Sequence, residues 1–163
     1  STLDNNPSPG NKRGGLTTIL EKSLGAVAKS GNSPMVDVLD YGEPVKTKGF
    51  NFMNSPGYDP VSVTGQVASG ANIICFTTGR GSCFGFKPTP SIKIATNTNM
   101  YKKLEEDMDI NAGTIMDNEK SIEEIGNEIF NKIIAVASGE KSKSEINGYG
   151  DDEFNPWIID PTL

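Results

Sequence analysis

The chain has 163 residues, of which 35% are hydrophobic, 18 are glycine and 10 are proline, and its net charge is −6. That length supports one domain with a core of its own, and the glycine and proline content favours a turn-rich fold over a helical bundle. The charge argues against nucleic acid as the main partner, because no basic surplus is available to neutralise phosphates, and no apolar run approaches the roughly 20 residues that span a bilayer.

Taken in chain order, Asn5-Asn6-Pro7-Ser8-Pro9-Gly10-Asn11-Lys12-Arg13-Gly14-Gly15 reads as loop by composition. A helix is predicted from about Leu16 to Lys29, with Leu16, Ile19, Leu20, Leu24 and Val27 on one face. Ser30-Gly31-Asn32-Ser33-Pro34 ends it, and Met35–Leu39 and Phe50–Met53 read as strands. Asp59 as N-cap with Pro60 at the first helical position predicts a helix from about Pro60 to Ser69. The apolar run 72–76 reads as a buried strand, which would make Cys75 a buried free thiol. The cysteines, Cys75 and Cys83, fit no metal spacing and are too few for a disulfide scaffold, so a reducing cytoplasm is expected. Ser91-Ile92-Lys93-Ile94-Ala95 alternates as a strand should. A short helix is expected over Asn99 to Asp107 and a short strand within Met108 to Met116. Ser121-Ile122-Glu123-Glu124 has the form of a capping box opening a helix with Ile122, Ile125, Ile129, Ile133 and Val136 at helical spacing, ending near Gly139. A polar tail follows Glu140, and Trp157 is expected to dock on the body. Alternating strands and helices predict an α/β fold, a mostly parallel sheet flanked by helices in a Rossmann-like three-layer arrangement.

One stretch stands out chemically. Thr77-Thr78-Gly79-Arg80-Gly81-Ser82 follows the predicted buried strand and offers three hydroxyls, two glycines and a guanidinium. Glycines let backbone N–H groups turn toward a ligand, and the planar fork of arginine matches a carboxylate or phosphate. A loop at the carboxyl end of a strand in an open α/β sheet is where ligands bind. The plainer alternative is a tight turn bearing a surface arginine. A second candidate is Asn11-Lys12-Arg13 before the predicted first helix, where backbone amides and two cations would meet an anion at a helix N-terminus. It lacks the Gly-Lys-Ser/Thr ending of a Walker loop. Third, Asp107, Asp109 and Asn111 sit in an acidic run that would suit a hard cation or acid–base work, although such runs are usually solvated helix ends. Fourth, Lys22 on the first helix would serve as a base if desolvated in a cleft. Asp151-Asp152-Glu153 is read as a solvated tail.

At these residues the chain resembles the C-terminal region of the altronate/galactarate dehydratase family. The matching stretches include Asn6-Pro7-Ser8-Pro9-Gly10-Asn11, Gly14 to Thr18, Glu21 to Gly25, Pro56-Gly57-Tyr58-Asp59-Pro60-Val61-Ser62, Thr64 to Ala68, Phe76 to Ser82, Asp107 to Asn111, Tyr149-Gly150 and Pro156-Trp157. They run in order over nearly the whole chain. The Pro-Gly-Tyr-Asp-Pro-Val-Ser form is more similar to the altronate branch, and a sulfolactate sulfo-lyase subunit shares much of the pattern. Ala112 stands where a cysteine often follows Asp-Ile-Asn in the family.

The resemblance implies β-elimination of water from a sugar acid, aided by a divalent metal (Fe2+, Mn2+ or Mg2+) whose ligands come from Asp107, Asp109 and Asn111 or from N-terminal domains of the same enzyme. For D-altronate the product would be 2-keto-3-deoxygluconate. Arg80, Lys12, Arg13 and Lys22 are then expected at the substrate carboxylate, Asn11, Thr77, Thr78 and Ser82 at hydroxyls, with Lys22 and Asp109 as catalytic candidates. Residues 1–163 are expected to be one C-terminal domain, inactive alone. The expected partners are a small sugar acid and the N-terminal domains, with self-association left open and neither nucleic acid nor membrane involved. Galactarate dehydratase, a sulfo-lyase subunit and a non-catalytic ligand-binding or assembly domain are the competing readings.

Overall fold

The computed structural model describes residues 6–156. They fall into two compact units. One comprises the residues up to Val38 together with Thr47–Phe52, and the other comprises Leu39–Lys46 and the chain from Met53 onward.

In the first unit the opening segment is not all loop. Pro9–Arg13 forms a short helix, α1, because Ser8 and Asn11 close a capping box and Pro9 has its backbone angle preset for the first turn. Helix α2 (Ile19–Lys29) begins three residues later than the apolar spacing predicts. The cause is a second capping box, in which Thr18 Oγ1 accepts from the Glu21 N–H at 3.2 Å and the Glu21 carboxylate accepts from Thr17 and Thr18. Leu16 is therefore left ahead of the helix. Strands β1 (Met35–Leu39) and β2 (Phe50–Met53) pair in a two-stranded sheet. Among the described residues of this unit only Pro7 is buried, and Leu20, Leu24 and Val27 of α2 are exposed.

The second unit holds the core. Helix α3 (Asp59–Ala68) starts one residue earlier than expected, with Tyr58 rather than Asp59 at the N-cap. Strands β3 (Ile74–Thr78), β4 (Ser91–Ala95) and β5 (Ile110–Asn111) form a parallel sheet in the order β3-β4-β5, with Phe76 opposite Lys93 and Ile94 opposite Ile110. Helices α4 (Thr98–Lys103), α5 (Ile122–Ala137) and α6 (Lys143–Ile146) and a 3₁₀ turn over Ala112–Ile115 complete it. Helix α4 stops short of the predicted Asp107 because Leu104 leaves helical geometry.

The α/β reading holds here in three layers. Side chains of β4 alternate, and Ile92 and Ile94 join Ile110 and Val136 on the side covered by α5, with Ile129 and Ile133 packed against them. On the opposite face lie Ile74 with Val63 of α3, Phe84 and Phe86, and Ala95 with Met100 of α4 and Met108. Helix α6 is tied to the same face, since the Ser144 hydroxyl donates to the Ser91 carbonyl at 3.0 Å. The polar tail expected after Glu140 thus contains a packed helix with Ser142 and Ser144 buried. Ile122, counted by spacing into the core stripe of α5, is 76% exposed. Cys75, expected buried, is exposed, because β3 is an edge strand whose burial alternates. Trp157 lies outside the described residues.

Candidate functional site

The loop that leaves β3 is held at both sides of its arginine. β3 runs to Thr78, so Thr77 and Thr78 belong to the strand end rather than the loop. The Thr78 carbonyl accepts from Thr96 N–H at 3.0 Å, and the Gly79 carbonyl accepts from the Asn97 side-chain amide at 2.9 Å. Thr78 Oγ1 accepts from the Gly81 N–H at 3.1 Å and Ser82 Oγ from the Phe84 N–H at 3.0 Å, two local turns of the kind hydroxyl side chains make. Each hydroxyl keeps its proton as a donor. Gly81 has φ +95° and packs so closely on Leu104 that a Cβ there would lie 2.1 Å from Cδ1. Beyond the loop Phe84 stacks on Phe76 with centroids 5.1 Å apart. Arg80 itself is exposed, and among the described residues its guanidinium has no ion-pair or hydrogen-bond partner.

The loop borders an open groove of about 420 Å³, lined by Tyr58 and Pro60 at the start of α3, Cys83 after the loop, and Tyr149, Asp151 and Asn155 among other residues of the C-terminal segment. Two stretches that the family resemblance rests on, those around Tyr58 and Tyr149, therefore meet here, with Cys83 directly after the Arg80 loop. Gly150, at φ +106°, lets the segment approach the backbone at Phe86 and Lys87.

Behind the groove sits a buried charge. Lys93, in the middle of β4, is 0% exposed. Its ammonium donates to the Ser82 carbonyl at 3.2 Å, lies 4.0 Å from Asp107 Oδ1 and 5.2 Å from the centroid of the Tyr149 ring. Burial pulls its pKa down, against the opposing pull of Asp107, Asp109 and Cys83. The Asp107 charge raises the Tyr149 pKa, helped by desolvation and by a hydrogen bond between the two side chains. Asp107 Oδ1 is buried and has no hydrogen-bond partner. The signal that could have found Lys93 is its place in a strand flanked by β3 and β5, since central parallel strands are covered on both faces.

The remaining candidates are placed as follows. Asp109 is a staple: its 0% exposed carboxylate accepts from Lys93 N–H at 2.8 Å through Oδ2 and from Lys143 N–H at 3.0 Å through Oδ1, with Lys132 Nζ 3.8 Å away. Lys143 is the first residue of α6, where a carboxylate suits the helix dipole. Asn111 Oδ1 accepts from Gly113 N–H at 3.0 Å and its amide donates to Thr98 Oγ1 at 3.1 Å. A divalent cation does not fit this trio. Asp109 and Asn111 are committed to protein donors, Asp107 faces an ammonium, and among the described residues no three His, Cys, Asp or Glu side chains come together as a metal cage.

In the first unit, Asn11 caps α1 by accepting from Ser8 N–H at 3.3 Å. Lys12 and Arg13 lie in its last turn, and the Lys12, Gly14, Gly15 and Leu16 amides bond to carbonyls of the same segment. The loop amides expected at a helix N-terminus are thus in use. Lys22 is exposed and donates to Asn6 Oδ1 at 3.0 Å, so it lacks the desolvation that the base reading requires.

Among the described residues no helix is long and apolar enough to cross a membrane. A family model described as D-galactarate/altronate dehydratase, C-terminal, matches residues 1–162. The chain is 48% identical over 136 residues to a galactarate dehydratase (L-threo-forming) of Escherichia coli, covering 83% of this chain and 26% of that protein. It is 44% identical over 145 residues to an altronate dehydratase of Bacillus subtilis, covering 88% and 29% respectively. A (2R)-sulfolactate sulfo-lyase subunit beta of Chromohalobacter salexigens is 33% identical over 147 residues, covering 90% and 38%. The chain thus spans between about a quarter and two fifths of the length of these relatives. It belongs to the D-galactarate/altronate dehydratase family and corresponds to that family's C-terminal part.

Proposed function

We propose that this chain is the C-terminal part of a cytoplasmic hydro-lyase that removes water from a six-carbon sugar acid, and that the Arg80 loop holds the substrate carboxylate. The observation that carries the reading is a guanidinium with no hydrogen-bond or ion-pair partner among the described residues, presented at the carboxyl end of a parallel strand on a loop pinned at Gly79 and Ser82 and followed by Cys83 in the groove wall. Elimination takes the proton from the carbon next to the carboxylate and releases hydroxide, protonated to water, from the neighbouring carbon. The enol product then becomes a 2-keto acid. Negative charge builds on the carboxylate as the proton leaves, so a fixed cation there favours the transition state over the ground state. Thr77, Thr78 and Ser82 supply O–H donors for the carboxylate or adjacent hydroxyls. Any divalent metal is held by residues other than Asp107, Asp109 and Asn111.

D-Altronate is the proposed substrate and 2-keto-3-deoxygluconate the product, on the strength of Pro56-Gly57-Tyr58-Asp59-Pro60-Val61-Ser62. The 48% identity to a galactarate dehydratase supports galactarate as the second reading. A keto-acid assay on the full-length enzyme with each sugar acid separates the two. Arg80→Ala is expected to lower kcat/KM by roughly 10²-fold, and activity within about twofold of wild type would remove Arg80 from the mechanism. Sulfite release from sulfolactate in place of a keto sugar acid would overturn the hydro-lyase reading.

A further inference from the structure

We propose that Lys93 is a positioning residue: from inside the sheet it fixes the Ser82 peptide and thereby the direction in which the loop presents Arg80. The inference rests on the reading of that loop as a ligand loop. A fully buried ammonium is expensive, and cores place one only where it is paired and hydrogen-bonded. Asp107 gains from the charge of Lys93 but makes no hydrogen bond with it. The carboxylate oxygen nearest the ammonium is at 4.0 Å, beyond hydrogen-bond range, and the hydrogen bond Lys93 does make, at 3.2 Å, is to a loop carbonyl two residues after Arg80. The Gly79 carbonyl on the other side of Arg80 is held by Asn97, whose own side-chain oxygen accepts from Met100 N–H at 2.8 Å as the cap of α4. Arg80 therefore projects from a short arch with both feet fixed to the second unit. Asp107 balances the buried charge, and the ring of Tyr149, which lines the groove, has its centroid 5.2 Å from the ammonium. The loop and the groove wall share one anchor.

Charge balance and positioning can be told apart with three variants. Lys93→Met leaves the Asp107 carboxylate buried without its cation, so it would be destabilised under either reading. Lys93→Met combined with Asp107→Asn removes both charges and should recover most of the thermal stability, because replacing both partners avoids the unpaired charge. The loop anchor, however, stays missing. The two arginines of this sequence are Arg13 and Arg80, so an arginine-specific protease reports on the loop through the new N-terminus at Gly81. In the full-length enzyme the double variant should be cut after Arg80 roughly tenfold faster than wild type or more, since a hydrogen bond from a charged donor is lost and cleavage follows local opening. Asp107→Asn alone keeps the Lys93–Ser82 bond and leaves the ammonium without its carboxylate, so it should be less stable yet cut at the wild-type rate once the unfolded fraction is subtracted. In the keto-acid assay the double variant should raise KM by about tenfold or more relative to Asp107→Asn, with a smaller change in kcat.

Cleavage after Arg80 within twofold of wild type, in a double variant with restored melting temperature, would overturn the proposal. Faster cleavage with an unchanged KM would retain the anchor while removing Arg80 from substrate binding, which separates failure of the functional reading from failure of this one.

Discussion

The two faces of strand β4 are built from one five-residue stretch, yet they solve different problems. Toward α5 the strand shows Ile92 and Ile94, at 0% and 3% exposure, in an apolar layer with Ile110 and Val136. On the other face it shows Ser91, Lys93 and Ala95, equally buried, with a hydroxyl and an ammonium where hydrocarbon would pack with less penalty. The first face is explained by area removed from water. What the second holds is the loop after β3, through Lys93, and α6, through the Ser91 backbone carbonyl; the Ser91 hydroxyl itself has no hydrogen-bond partner among the described residues. Polarity buried on one side of a central strand marks the side on which the chain presents its candidate site.

That contrast can be broken by substitution. The largest stability effect expected is for Lys93→Met, about 4 kcal/mol, because a carboxylate is left buried without its cation; a loss under about 1 kcal/mol by denaturant unfolding would mean that Asp107 is solvated rather than paired. Ile92→Ala on the apolar face should cost about 3 kcal/mol by the loss of buried methyl groups and the cavity left behind, while cleavage after Arg80 stays close to wild type once the unfolded fraction is subtracted. Gly81→Ala should cost about 2 kcal/mol, from a positive φ and a Cβ forced against Leu104, and should also disturb the loop. Melting without any change in substrate KM would separate loop strain from function. Smallest is Ser121→Ala, remote from both faces, which removes the capping box of α5 and should cost about 1 kcal/mol with no change in KM.

The chemistry of the loop was legible in the sequence because its signals are local: glycines, hydroxyls and an arginine directly after an apolar run. The capping box at Ser121 was legible for the same reason. Lys93 was not, because alternation assigns Ser91, Lys93 and Ala95 to the face opposite Ile92 and Ile94 without saying what covers that face. Residues distant in sequence, Ser82, Asp107 and Tyr149, surround the Lys93 ammonium. Cys75 failed in the opposite direction, since a continuous apolar run looks central while β3 is an edge. Asp109 looked like a site residue because a carboxylate in an acidic run carries no local mark of its partners, which are the backbone of β4 and the start of α6. The opening segment misled because Ser8 and Asn11, ordinary turn residues, form a capping box across Pro9 and Gly10.

The last described residues clasp the middle of α3. Asn155 N–H donates to Thr64 Oγ1 at 2.9 Å, across 91 positions of sequence, and the Phe154 ring lies 6.3 Å from that of Phe86. During synthesis the sheet can assemble earlier, but the groove has no second wall until this late stretch has left the ribosome. A groove that needs both the start of α3 and residues 148–155 therefore closes only after the sheet and the loop are in place.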